Sequence, residues 1–291
     1  MAEHVVRVDG VELCSEALGD PTHPPVLLVM GAGASMIHWD EGFCRLLAAG
    51  GRFVIRYDHR DTGRSTCYPP GHPGYTGADL VADAVRVLDG HRIGAAHLVG
   101  VSAGGALVQL LALRHPERAC SLTLISTTAA LPGGGELPPP TEEFLRYVTS
   151  APTAGADPQA AVEQQVDHAR VLSGGRRPFD EAAARSLARR DAERARDLAA
   201  ARNHDALPDG DLPTAPLSSI TAPTLVIHGS ADPMFPLPHG AALARRIPGA
   251  RLLTLPDAGH GLEPADRSTV ATAIIDHTAP GRSGPGRSSP P

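Results

Sequence analysis

The heptapeptide Val99-Gly100-Val101-Ser102-Ala103-Gly104-Gly105 constrains this chain more than any other stretch. Upstream, Ala95 to Val101 is short and mostly apolar, as a buried strand is. Downstream, Ala106, Leu107, Leu110, Leu111 and Leu113 recur at helical spacing. Ser102 therefore stands where a strand turns sharply into a helix, the setting that marks a G-x-S-x-G sequence as a nucleophile elbow. Such a turn holds the serine in a strained backbone conformation. Side chains at Gly100 and Gly104 would collide with neighbouring backbone. The hydroxyl is pushed outward, and the first N–H groups of the new helix point toward the same spot.

The 291 residues are enough for one or two domains with a large core. The formal net charge of -6 argues against a dedicated nucleic-acid binder, and the complete lack of lysine reads as a GC-rich coding bias. Cys14, Cys44, Cys67 and Cys120 are scattered without a C-x-x-C pair, so neither a zinc site nor a disulfide framework is expected. Reduced, mostly buried thiols fit better. The segment from Met1 to Asp9 has no apolar core of a signal peptide, and no apolar run reaches the length of a membrane span. A soluble cytoplasmic protein with neither a nucleic-acid nor a membrane partner is expected, and oligomeric state is not legible.

Taken in order, Val5–Val8 and Val11–Leu18 read as strands joined at Asp9-Gly10, a dipeptide suited to a tight hairpin. Val26–Met30 is a continuous apolar run, as suits a parallel strand covered on both faces. A small-residue loop, Gly31-Ala32-Gly33-Ala34-Ser35, follows it. Phe53–Tyr57, the elbow strand, Cys120–Ile125, Thr224–Ile227 and Arg251–Leu255 continue the strand pattern. Helices are expected between them, over Ala78–Leu88 for example, and after the last strand over Ala265–His277. The alternation predicts an α/β fold: a mostly parallel eight-stranded sheet with helices on both faces. It breaks near Thr127. The stretch from Thr141 to Leu207 carries helical patterns only, with one helix expected over Glu181–Ala201. We expect a core domain made of residues 1–130 and 219–278, an inserted helical cap over 131–218, and a disordered tail over 279–291.

A serine hydroxyl needs a base within hydrogen-bond reach, and the base needs an orienting acid. Histidine suits the base because its pKa lies near operating pH. Of the 14 histidines, His260 sits in a Gly-His-Gly loop after a sheet strand, on the rim where Ser102 is expected. Asp232 follows the preceding strand, and Asp257 is the competing acid. The chain order Ser102, Asp232, His260 is the one expected for this elbow, and each residue follows the C-terminal end of a strand, where open parallel sheets build sites. The tetrahedral intermediate needs two preorganised donors. The backbone N–H groups of Ala103 and Ala32 are the candidates, with Gly31 and Trp39 expected at the substrate and His38 as another neighbour. The charges of Asp58-His59-Arg60-Asp61 read as structural ion pairs. No metal-ligand spacing and no dinucleotide fingerprint is present, so neither a metal nor a cofactor is implied.

On Gly100-Val101-Ser102-Ala103-Gly104, Asp232-Pro233 and Gly259-His260-Gly261, the chain resembles the α/β-hydrolase fold family. More narrowly, Leu27–Gly31, Tyr57–Ser65, Val85–Gly90 and Pro238-His239-Gly240 are similar to the aclacinomycin methylesterase group, from which the chain departs at Ala103 and after Gly31. That resemblance implies hydrolysis of a methyl ester on a large polycyclic polyketide. The leading expectation is a serine hydrolase, specifically a carboxylic-ester hydrolase, acting on a small apolar molecule such as a methyl ester of a polyketide-type secondary metabolite. A thioesterase, lactonase or carbon–carbon bond hydrolase, a cofactor-free perhydrolase or haloperoxidase-like enzyme, and a non-catalytic ligand-binding protein remain open at this point.

Overall fold

The computed structural model describes residues 3–133, 135–150 and 157–279. The expected tail, beyond residue 279, lies outside them. Eight strands form one sheet in the order β1-β2-β4-β3-β5-β6-β7-β8. These are β1 (Glu3–Val8), β2 (Val11–Leu18), β3 (Pro25–Val29), β4 (Phe53–Tyr57), β5 (Ala96–Val101), β6 (Ala119–Ile125), β7 (Thr224–Gly229) and β8 (Arg251–Leu255). β1 pairs antiparallel with β2, and β2 with β4; every other pairing is parallel. The hairpin turns at Asp9 and Gly10, both at positive φ (50° and 79°), which is why the chain needs this dipeptide there.

The helices of the sheet domain are α1 (Glu41–Ala49), α2 (Gly77–Gly90), α3 (Ala103–Arg114), α7 (Pro238–Arg246) and α8 (Arg267–His277). Strand alternation explains why the central strands β3, β5 and β7 are mostly apolar. Leu27, Val29, Leu98 and Val226 face one core with Val81, Leu88, Leu111 and Leu243, from α2, α3 and α7. Val26, Leu28, Val99 and Ile227 face the other, with Phe43, Leu47, Val270 and Ile274 from α1 and α8. The central strands β3, β5 and β7 are therefore buried on both faces, whereas β1 and β8 at the sheet edges are largely exposed.

Between β6 and β7 come α4 (Glu142–Ser150), α5 (Pro158–Leu172), α6 (Glu181–Arg194) and a 3-10 helix over Ala199–Ala206. The helix expected over Glu181–Ala201 stops at Arg194. The reason is tertiary: Arg194 turns into the core to meet Asp58 at 2.7 Å, and the N–H of Arg196 bonds the carbonyl of Gly63. Val162 and Val166 of α5 pack on Ala188 of α6 and Phe179, giving this region a small core of its own. Among the described residues no helix is long and apolar enough to cross a membrane.

Burial holds two core histidines neutral. His59, after β4, and His97, on β5, are both pushed down to about 4 by desolvation. The unfolded chain takes up protons near pH 6.5 while the folded one does not, so both contributions are complete above that pH and are lost as it falls toward 4. His59 alone weakens the fold by up to about 1.4 kcal/mol per pH unit in that window. The thermal midpoint is expected to fall steadily between pH 7 and pH 5. An unchanged midpoint across that range, followed by circular dichroism, contradicts this account.

Candidate active site

Ser102 joins β5 to α3 with φ 53° and ψ -124°. A side chain is strained there, and close packing accounts for its persistence. A Cβ on Gly100 would run into the backbone of Gly104, and one on Gly104 into the carbonyls of Val29 and Met30. The elbow is thus wedged against the end of β3. Ser102 N–H bonds the carbonyl of Ile125 on β6, and Thr127 Oγ1 donates to the carbonyl of Ser102 at 2.7 Å. A serine in front of a helix ordinarily caps it with its hydroxyl. Ser102 makes no such bond, so its hydroxyl is left available.

Asp232 and His260 leave the ends of β7 and β8. Asp232 is buried, and its Oδ1 accepts from the N–H groups of Met234 (3.0 Å) and Phe235 (2.8 Å). Its Oδ2 lies 2.9 Å from His260 Nδ1. This arrangement places the proton on Nδ1 and leaves Nε2 with a lone pair. His228, also pushed down by burial, donates from Nε2 to the carbonyl of Phe235 and lies 3.4 Å from Asp232 Oδ2. Asp257, the competing acid, is exposed and takes no part in the pairing. The inserted helices reach this pair: the N–H of His260 bonds the carbonyl of Leu172, at the end of α5, at 2.7 Å. No hydrogen bond joins Ser102 Oγ to His260, a contact that often tightens only when a substrate is bound.

The loop after β3 abuts the elbow. A Cβ built on Gly31 would lie 3.3 Å from that of Ser102. The N–H of Ala32 and that of Ala103, the first residue of α3, have no hydrogen-bond partner among the described residues. Two free donors beside one hydroxyl are what an oxyanion requires. Trp39, expected at the substrate, is buried in the core instead. It is 1% exposed and stacks on Phe43 at 5.8 Å, because the short helical turn before it directs the ring under the sheet. His38 lies 3.4 Å from Asp191 of α6, which also accepts from Ser35.

Sequence reasoning missed His204. Its Nδ1 accepts from Gly33 N–H at 2.8 Å and its Nε2 donates to the carbonyl of Arg60 at 2.8 Å. The ring must be neutral for both bonds, and burial lowers its pKa in that direction. Nothing marks His204 in the sequence, since its partners lie far away along the chain. The charged loop is structural, as expected: Arg60 forms a two-pronged pair with Asp83, and Asp61 accepts from Tyr75 and Asn203. Replacing His204 with phenylalanine is expected to loosen the loop carrying Ala32 and lower kcat on a small ester about tenfold or more, with KM little changed. Steady-state kinetics on folded protein test this; a kcat within twofold of the parent removes the role.

Residues 24–262 match the family described as the alpha/beta hydrolase fold. The chain belongs to the α/β-hydrolase family. Within it, the chain is 39% identical to the rhodomycin D methylesterase of Streptomyces peucetius, over 96% of this chain and 98% of that one. It is 30% identical to a putative carbamate hydrolase of Variovorax paradoxus, over 91% and 95%. Among solved structures, an esterase from Rhodococcus superposes with a TM-score of 0.75 at 22% identity, covering 95% of this chain and 99% of that one. The helices α4, α5 and α6 lie between β6 and β7 in the chain.

Proposed function

We propose that the chain is a serine carboxylic-ester hydrolase that cleaves the methyl ester of a polycyclic, polyketide-type metabolite. Ser102 Oγ attacks the ester carbonyl while His260 Nε2 takes its proton. Asp232 holds the imidazole in the required tautomer and stabilises the cation formed. The N–H groups of Ala32 and Ala103 receive the oxyanion. Collapse of the intermediate releases methanol, protonated by His260, and leaves an acyl group on Ser102. His260 then activates water, which frees the carboxylic acid and restores the serine.

The observation that carries this reading is the 39% identity to a rhodomycin D methylesterase along nearly the whole of both chains. The Asp232–His260 pair and the uncommitted hydroxyl of Ser102, each after a strand of the one sheet, support it chemically. Thioester, lactone, carbon–carbon and peroxide chemistry are then not needed. The test incubates the protein with rhodomycin D and with simpler polycyclic aromatic methyl esters and follows methanol and free acid together. Equal release of both is expected. A protein that cleaves short nitrophenyl esters but none of these substrates overturns the substrate assignment.

A further inference from the structure

Helix α5 presents three faces, set by its period of about 3.6 residues per turn. Val162 and Val166 face α6. Glu163, Asp167 and Arg170 face water. The third side carries Gln165, His168 and Leu172 within about 60° of arc. Leu172 is where α5 meets the catalytic loop, since its carbonyl accepts from His260 N–H. His168 and Gln165 stand about 6 Å and about 10 Å farther back along the helix. This strip runs back along α5 from the loop that carries the candidate catalytic histidine.

Two polar groups on the strip have no hydrogen-bond partner among the described residues, and one of them is fully buried. Gln165 Oε1 is buried without a hydrogen-bond partner. Neither ring nitrogen of His168 has one among the described residues, although the ring is stacked on Tyr147 at 5.6 Å and 11° and tilted against Phe144 at 6.4 Å. Burial, with the neighbouring His260 adding to it, holds His168 below its ordinary pKa and so neutral. A buried, unsatisfied amide oxygen costs about 1–3 kcal/mol in a folded chain. A native protein that keeps such a group needs a reason for it, such as a functional role or a bound water or ion.

We propose that Gln165 and His168 form a subsite for a phenolic hydroxyl on the ring system of the substrate, with Tyr147 and Phe144 as its aromatic wall. Gln165 Oε1 can only accept, so the ligand must donate. A hydroxyl meets that need, whereas a methoxy or unsubstituted ring leaves the amide oxygen unpaired. The distance back from His260 suits a fused ring system better than a short acyl chain. This inference rests on the ester-hydrolase reading for the name of the substrate, but not for its test.

The test is equilibrium binding to Ser102→Ala protein, which is independent of turnover. The probes are hydroxynaphthoic acid methyl esters differing in the ring position of the hydroxyl, each paired with its O-methyl ether. At the best-placed position the hydroxyl form is expected to bind about tenfold more tightly than its ether. Adding Gln165→Leu brings that ratio close to one. Adding His168→Phe, which keeps the stacked ring, reduces it severalfold. If no hydroxyl form outbinds its ether, or if the ratio survives both substitutions in folded protein, the subsite is refuted. The parent protein's hydrolysis of the same esters is scored separately, so either idea can fail alone.

Discussion

Ser102→Ala is expected to lower kcat on a methyl ester by about 10^4- to 10^6-fold, down to what the oxyanion donors and substrate binding supply without a nucleophile. The fold should not notice. The hydroxyl caps no helix and bonds nothing in the chain, so its removal leaves no orphaned partner. Alanine also tolerates the wedge around the elbow, because the space forbidden to a Cβ lies at Gly100 and Gly104, not at Ser102. The same variant is therefore expected to melt within a degree or two of the parent. Activity within tenfold of the parent, measured on protein of unchanged thermal midpoint, moves the nucleophile elsewhere.

Asp232→Asn is expected to cost about 10^4-fold in kcat with little change in KM, and the reason is directional. Oδ1 of Asp232 accepts from two backbone N–H groups, of Met234 and Phe235. An asparagine must keep its carbonyl oxygen there, which turns its NH2 group toward His260 Nδ1. A donor facing a donor is not tolerated, so the ring shifts its proton to Nε2. Nε2 then has no lone pair with which to take the serine proton. Raising the pH does not recover activity, since the defect is the tautomer and not the charge. Kinetics from pH 6 to pH 9 test this; a loss of less than tenfold at every pH assigns the orienting role to another group.

The elements most legible in the sequence are those whose cause is local. The G-x-S-x-G turn needed only its own glycines and the periodicity on either side, and β5 and α3 lie as expected. Ala32, Asp232 and His260 were singled out because each follows the carboxyl end of a recognisable strand, and Asp232 and His260 do pair. Trp39 was misplaced because helical and loop positions give no sign of which way a ring turns. Gln165 and His168 were read only as part of a helical pattern, since two of the three faces of α5 are defined by neighbours remote in sequence.

By itself, the amino-acid order determined the layered sheet, the elbow and the order along the chain of the three candidate residues, because steric limits at glycine and the two-residue period of a strand act over a few neighbouring positions. Only the tertiary structure decided that Asp232 and not Asp257 meets His260, that Trp39 is enclosed, that α6 ends at Arg194 and that His204 holds Gly33. Each of those outcomes is a contact between segments brought together by packing, and hydrogen-bond geometry between distant segments leaves no periodic mark on either of them.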